Sequence, residues 1–402
     1  MRQLPSLVLT SLFAAALARA VAGAELPLVV GVEGPTFRGA LAGAEAGPQP
    51  SLRFTTAEGE HTLPLAELVT WGQFVESTAG VQILLAGGGI LHADAVHTDE
   101  EQLHGVSATL GKFAVPLRLV AGIVYRVPLD RARADQLAAR VLALAGQTDR
   151  VLLDNGDELS GTITAVEDAT VRLTSDAGPV DLAVDKLSAV LFNPILVDKP
   201  KPAGLRVMVG LVDGGRVSAA LIVSEQKAAR IKLVGGGELV VPMTAIVALQ
   251  TFGGRAVYLS DLQPSSYRHI PFLQLTWPYM TDGSVRGSRL RTAGGLTVKG
   301  LGMHSPSRIT FDLDDVYRRF ETLVAIDAEA GQRGSVVCRV FVDDGSGKWH
   351  ERATTEVVRG GADPVPLSVD LAGAKRISLL VDYADHGDEL DHVDWLNARL
   401  IR

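Results

Sequence analysis

An all-β chain of small repeated barrels followed by a β-sandwich is the fold this sequence predicts. Three observations carry that prediction. Apolar and polar residues alternate with the strand period along most of the chain. One glycine-punctuated pattern recurs four times between Glu25 and Leu249. Beyond Arg255 the strands are short and bounded by Gly, Pro and Asp turns, with no convincing long amphipathic helix. A chain of 402 residues, 47% hydrophobic and 21% charged, exceeds one compact core, so two or more domains are expected.

The N-terminus reads as a secretory signal over residues 1–24. Arg2 supplies the positive end, Leu4 to Leu17 the apolar stretch, and Ala22-Gly23-Ala24 the small-residue cleavage pattern, which makes Glu25 the expected mature start. An uncleaved anchor is the competing reading, but Arg19 interrupts the end of a short apolar run. No later segment is long and apolar enough for a spanning helix. A secreted or periplasmic location follows as the expectation.

The clearest repeat starts at Val151 to Gly161, continues through Val171 to Thr174, turns at Ala177-Gly178 and closes with Leu187 to Phe192. The other copies lie at 205–250, at 80–125 and, most worn, at the start of the chain. The first-turn and second-turn glycines are 22 residues apart in three copies: Gly89 to Gly111, Gly156 to Gly178 and Gly215 to Gly237. In the worn copy Gly34 and Gly59 are 25 apart. Glycines at such turns provide the positive φ that tight hairpins need. Each unit therefore reads as a bent antiparallel sheet in the manner of SH3-like or Sm-like barrels, over 25–75, 79–126, 150–195 and 204–252. Units of this size bury little core alone, so neighbours should pack together.

Between the second and third units, 127–149 holds a connecting helix. Asp130 is its N-cap, Ala132, Leu137, Val141 and Leu144 recur near helical spacing, and Gly146 ends it. Asp198 to Pro202 is a linker-like break.

Three stretches stand out in 255–402: Tyr258-Leu259-Ser260-Asp261-Leu262, Gly300-Leu301-Gly302-Met303-His304-Ser305-Pro306-Ser307, and the terminal Asp391-His392-Val393-Asp394-Trp395. In order and spacing this region resembles the NPCBM family of carbohydrate-binding modules. The resemblance implies an antiparallel jelly roll of the galactose-binding type, found attached to glycoside hydrolases and in exported bacterial proteins. It implies carbohydrate as the partner, including galactose-containing glycans.

Sugar recognition requires an aromatic face for the pyranose and a few polar groups for its hydroxyls. Aromatic residues are only 5% of the chain, and three of its four tryptophans lie in this region. Trp277 and Tyr279 sit in a turn-rich loop over 270–288, and Trp349 in another over 343–352. Either loop can present a ring, or plug the core beneath it. His304 either satisfies buried carbonyls or donates to a sugar hydroxyl, and Arg308 either pairs with an acid or joins the site. Trp395, inside a strand-like run, reads as core. The stretch 382–394 holds six carboxylates and no Lys or Arg, so Asp385, Asp388 and Asp391 are candidate oxygen ligands for a structural Ca2+. A solvated turn is the plainer account.

Other chemistries find little support. The net charge of −8 argues against a general nucleic-acid binder. Cys338 is the single cysteine, so neither an internal disulfide nor a Cys-rich zinc site can form. No zincin, nucleophile-elbow or phosphate-loop motif is present. The sequence therefore points to an exported, non-catalytic carbohydrate-binding protein with the repeats as spacer or interaction modules. A structural or protein-interaction component of the cell envelope, without sugar binding, is the alternative.

Overall fold

The computed structural model describes residues 25–200, 203–271, 274–314 and 316–402. The expected signal segment and the end of the Asp198 to Pro202 break lie outside the described residues.

The repeat is visible as one strand order. In the third unit Asp149–Leu153, Glu158–Val166, Thr170–Ser175 and Gly178–Ala183 form a meander, followed by a 3-10 turn Val184–Lys186 and a last strand Leu187–Leu191. That last strand returns to the first, with Val151 opposite Val190. The fourth unit repeats this from Arg206–Leu211 to Ile246–Phe252, with Val209 opposite Leu249. All four units carry a 3-10 turn before the last strand. In three of them a proline precedes the turn: Pro64, Pro116 and Pro242. Its fixed φ suits that entry and its missing N–H costs no ladder bond there. The third-unit turn glycines Gly156 and Gly178 have φ of 93° and 110°. In the second and fourth units the first-turn residue with positive φ is Gly88 or Gly214, one place before Gly89 or Gly215.

The expected barrels do not stay separate. The last strands of the second and third units pair, with Ile123 opposite Val190. Those of the first and fourth pair likewise, with Trp71 opposite Leu249. A single pair, Arg216 opposite Ile90, joins these two halves into one 16-stranded sheet. The inner strands of the first and second units form their own three-stranded sheets. The physical reason lies in the last strands. Val120–Val124 is buried at every position and Ile246–Phe252 at all but one. A strand apolar on both faces cannot sit at the wet edge of a lone barrel, and pairing with another unit covers it. Gly122 permits that approach, because a Cβ there would lie 2.3 Å from the Val190 carbonyl oxygen. One apolar core, from Val29 to Leu249, runs through all four units.

The helix forms as Arg131–Leu142, with the Asp130 side chain accepting from the Arg133 N–H. Ala138, Val141 and Leu144 bury its inner face against the sheet.

The expected β-sandwich is present. One antiparallel sheet runs Met280–Thr281, Gly300–His304, His392–Ile401, Arg319–Ile326, Val365–Asp370, with Ala256–Tyr258 also on His392–Ile401. The other runs Ser266–His269, Ser307–Asp312, Arg376–Tyr383, Ser335–Asp343, His350–Thr354. Leu301, Phe311, Phe320, Cys338 and Trp395 fill the space between them. The sandwich is docked on the repeats. Arg255 bridges Glu33 and Glu67, and Gln250 donates to Asn397. Phe74 forms a bridge to Leu296.

Candidate functional site

Four rings meet at one end of the sandwich. The half-buried Trp277 lies flat on His304, with centroids 5.0 Å apart and planes 6° from parallel. His392 is tilted against both, at 5.8 Å from Trp277 and 5.6 Å from His304. His269 meets His304 edge-on at 5.6 Å. The three imidazoles are buried, so the tryptophan is the ring that reaches solvent.

Each ring is held from below. The Trp277 N–H donates to His269 Nδ1, and the Tyr267 hydroxyl donates to the Trp277 carbonyl. Tyr279 packs on Tyr267 at 5.1 Å and against the core. It supports the platform from the core side and, like Trp277, is half-buried. The His304 Nδ1 bonds the Ser305 carbonyl at 2.8 Å, as in the first of the two roles open to it. The glycines of the Gly-Leu-Gly stretch have a steric cause. A Cβ on Gly302 would sit 2.4 Å from the Gly283 oxygen and 2.5 Å from the Val285 nitrogen, inside the turn that leads back from Trp277 and Tyr279.

Burial disfavours the charged form of the imidazoles at this end. Burial holds His304 below the usual imidazole range, helped by the nearby His269. Burial, with His304 and Arg286 adding repulsion, brings His392 down to about 4. Asp391, fully enclosed, is pushed up to about 6 by burial, with Asp388 adding to it. Its two oxygens accept from the Ser305 hydroxyl and the Ser335 N–H. The terminal motif thus divides its labour. Asp391 ties two turns together, His392 backs the tryptophan, and Trp395 is core, as its strand setting predicted. Burial first, and Asp327 second, raise the Asp394 carboxyl well above the ordinary range.

Beside the platform, on the far side of Asp391, lies a polar hollow of about 390 Å³. Arg333, Ser335, Arg359, Asp385, His386 and Glu389 line it. Arg359 pairs with Asp385, and Arg333 with Glu389. Such groups present several donors and acceptors to a hydroxylated ligand.

Residues 255–401 match the family model for the NPCBM/NEW2 domain. This region is an NPCBM domain. The match covers the part of the chain that holds all four rings. A curated protein named "Putative endo-alpha-N-acetylgalactosaminidase", from Renibacterium salmoninarum, is 30% identical over 115 residues. That stretch is 29% of this chain and only 7% of the relative's length. Among solved structures, the CBM51 of Clostridium perfringens GH95 in complex with methyl-galactose is 25% identical, over 36% of this chain and 99% of that one, with a TM-score of 0.32. The CBM51-2 and INT domains of Clostridium perfringens ZmpB are 26% identical, over 50% of this chain and 38% of that one, also with a TM-score of 0.32.

The NPCBM domain does not gather all the residues singled out from sequence. Trp349 lies at the opposite end. The Arg376 guanidinium covers its ring at 5.0 Å, and Arg376 is the first residue of the strand that ends at Tyr383. Ser307, next to the His304 turn, pairs with Val381 on that strand. Five residues of strand separate Arg376 from Val381, about 17 Å. Arg308 points from the outer face of the same sheet, across from Arg268, and has no carboxylate within ion-pair reach among the described residues. Its expected ion pair is therefore not formed among the described residues. Asp385, Asp388 and Asp391 do not converge either. Asp385 faces Arg359 and Asp391 turns inward to two serines, and no group of three metal-binding side chains forms among the described residues. The backing histidines His269 and His392 were not expected as part of the site. The doublet Asp391-His392 in the terminal motif was the available signal for one of them, and nothing local marks the other.

Proposed function

We propose that the C-terminal domain binds a glycan through Trp277, and that the protein acts as an exported, non-catalytic carbohydrate-binding protein. The observation that carries this is the Trp277 ring stacked on His304 at an open end of the sandwich. One face is backed by the buried His304 imidazole, and the half-exposed remainder is available to the apolar face of a pyranose. The methyl-galactose carried by the solved CBM51 makes galactosides the first ligands to try. The four repeat units would then hold the module at a distance from whatever else the protein meets.

The non-catalytic reading rests on the match to a binding module. In a concavity of about 820 Å³ between the second and third units, two of the four lining acids are held by hydrogen bonds. Asp149 accepts from the Ile163 and Asn193 N–H groups. Asp99 accepts from His104 and from the backbone of Glu101 and Gln102.

The decisive experiment is a calorimetric titration of the full chain with methyl-galactoside and methyl-glucoside, repeated with Trp277→Ala. Saturable binding lost in the variant is expected. Absence of binding to any sugar on a glycan array would favour the envelope-structural alternative. Export is tested separately, by N-terminal sequencing of the mature protein, with Glu25 the expected first residue.

A further inference from the structure

An ionic cluster sits where the helix, the repeat sheet and the C-terminal domain meet. Arg291 is buried and bonds both Glu76 and Asp135. Arg289 pairs with the same two carboxylates. Two cations and two anions therefore neutralise one another. Arg216 is left over. It is only 9% exposed and begins the strand Arg216–Glu225, and its side chain makes no hydrogen bond or ion pair among the described residues. A buried guanidinium without an acceptor is costly, and such groups are nearly always paired. Burial pulls it down to about 9, Arg289 and Arg291 add to this, and the charges of Glu76 and Asp135 act against it without a direct ion pair.

The space in front of it is real. Arg216 lines a cavity of about 240 Å³ with Arg131, Arg289, Arg291, Glu76 and Asp135. Counting charges, four cations face two anions, a surplus of two. Arg216 and Arg289 also line an adjoining hollow of about 420 Å³, which opens the cavity along the junction. His92 and Gln82 complete the polar wall, but His92 Nδ1 is taken by the Ala79 carbonyl and the Gln82 amide donates to the Ser77 carbonyl.

We propose that this junction cavity is a binding site for a small oxyanion, a phosphate or carboxylate group, with Arg216 as the principal ligand and Arg131 at its exposed mouth. A planar guanidinium already desolvated on folding meets such an anion through paired N–H···O bonds, and the anion supplies the acceptor that the fold omits. Because repeat and NPCBM residues both line the cavity, occupancy would also lock the two parts together. The site is independent of the sugar reading and shares no residue with it.

The test is isothermal titration of the full-length protein with inorganic phosphate, at constant ionic strength set by sodium chloride. Saturable binding is expected, with Arg216→Gln weakening it about tenfold or more, the loss typical of removing one charged hydrogen-bond partner. Arg131→Gln is expected to weaken it less. Equal heats from phosphate and chloride would overturn the proposal. So would unchanged affinity in Arg216→Gln or, if that variant does not fold, in Arg131→Gln. Competition by acetate would extend the site to carboxylates, and failure of acetate to compete would narrow it to tetrahedral oxyanions. Both results support the anion site.

Discussion

Trp277 and His304 lie parallel, 5.0 Å apart, although 26 residues separate them in sequence. The contact exists because the Ser305-Pro306 turn and the loop over 274–279 converge at one end of the sandwich. Everything that touches this pair should register on sugar binding, and what lies elsewhere should not.

The two tryptophans therefore separate. Trp277→Ala is expected to weaken galactoside binding about tenfold or more, the scale of an aromatic anchor, while the melting temperature changes little. Trp349→Ala should leave affinity unchanged, since its ring is covered by Arg376 at the other end. Titration of both variants against the same glycoside checks this. Equal losses would mean that the ligand lies elsewhere.

Gly302→Ala is expected to damage both stability and binding. Its Cβ would have to displace backbone atoms of Gly283, Ser284 and Val285, not a movable side chain. Overpacking of this kind costs about 1–3 kcal/mol, and the displaced turn leads directly to the Trp277 loop. A denaturant midpoint alongside a titration would show the coupled loss. A variant that lost stability and kept full affinity would contradict it.

Neighbours Asp391 and His392 should produce opposite pH dependences. The folded value of His392, about 4, lies below its ordinary 6.5. Its contribution is present above 6.5 and is lost as pH falls toward 4, because the unfolded chain takes up the proton first. The folded value of Asp391, about 6, lies above its ordinary 3.8. Its contribution is present below 3.8 and is lost as pH rises through 6. Each shift corresponds to roughly 3 kcal/mol across its window. Urea unfolding between pH 4 and 7 should show His392→Gln losing less stability than the parent on acidification. Asp391→Asn should lose less on the way up. Slopes identical to the parent's would remove these residues as the cause.

Arg291 should matter far more than surface arginines. Arg291→Ala leaves Glu76 and Asp135 to share Arg289, and breaking a buried pair costs about 3–5 kcal/mol. Glu76 is the sensitive partner. Burial opposes its ionisation, yet Arg291 and Arg289 hold its carboxyl at about 2. Its stabilising effect is present at neutral pH and lost as pH falls toward 2. Arg230→Ala, in a solvent-exposed pair with Glu225 and Glu238, should leave the midpoint nearly unmoved. Comparable shifts in the two variants would show that the cluster is not structurally special.

Much of this molecule is legible in its sequence because the signals are local. The turn glycines, the prolines before three of the four last strands and the Asp130 cap announce elements within a few residues. The pairing of Val120–Val124 with Leu187–Leu191 is not announced. Period-two alternation says which face of a strand is wet, not which edge finds a partner. The site follows the same division. Trp277 and His304 stand out as residue types in turns, whereas His269 joins them only through the pairing of Ser266–His269 with Ser307–Asp312. Trp349 looked equivalent to Trp277 because composition does not reveal at which end of a sandwich a loop emerges. Arg216 had no mark at all, since a missing partner is a property of space.

The pairing of last strands is nested: second with third, first with fourth. Synthesis from the N-terminus therefore completes the inner pair while Leu68–Gly72 still waits. Its partner strand, Ile246–Phe252, leaves the ribosome some 175 residues later. At about 5–20 residues per second, that is on the order of ten seconds or more with a bare edge. Such an edge invites pairing with other chains. The first repeat, the most worn in sequence, is the one that must remain unfinished longest. A chain cut short before the fourth unit would carry that edge permanently.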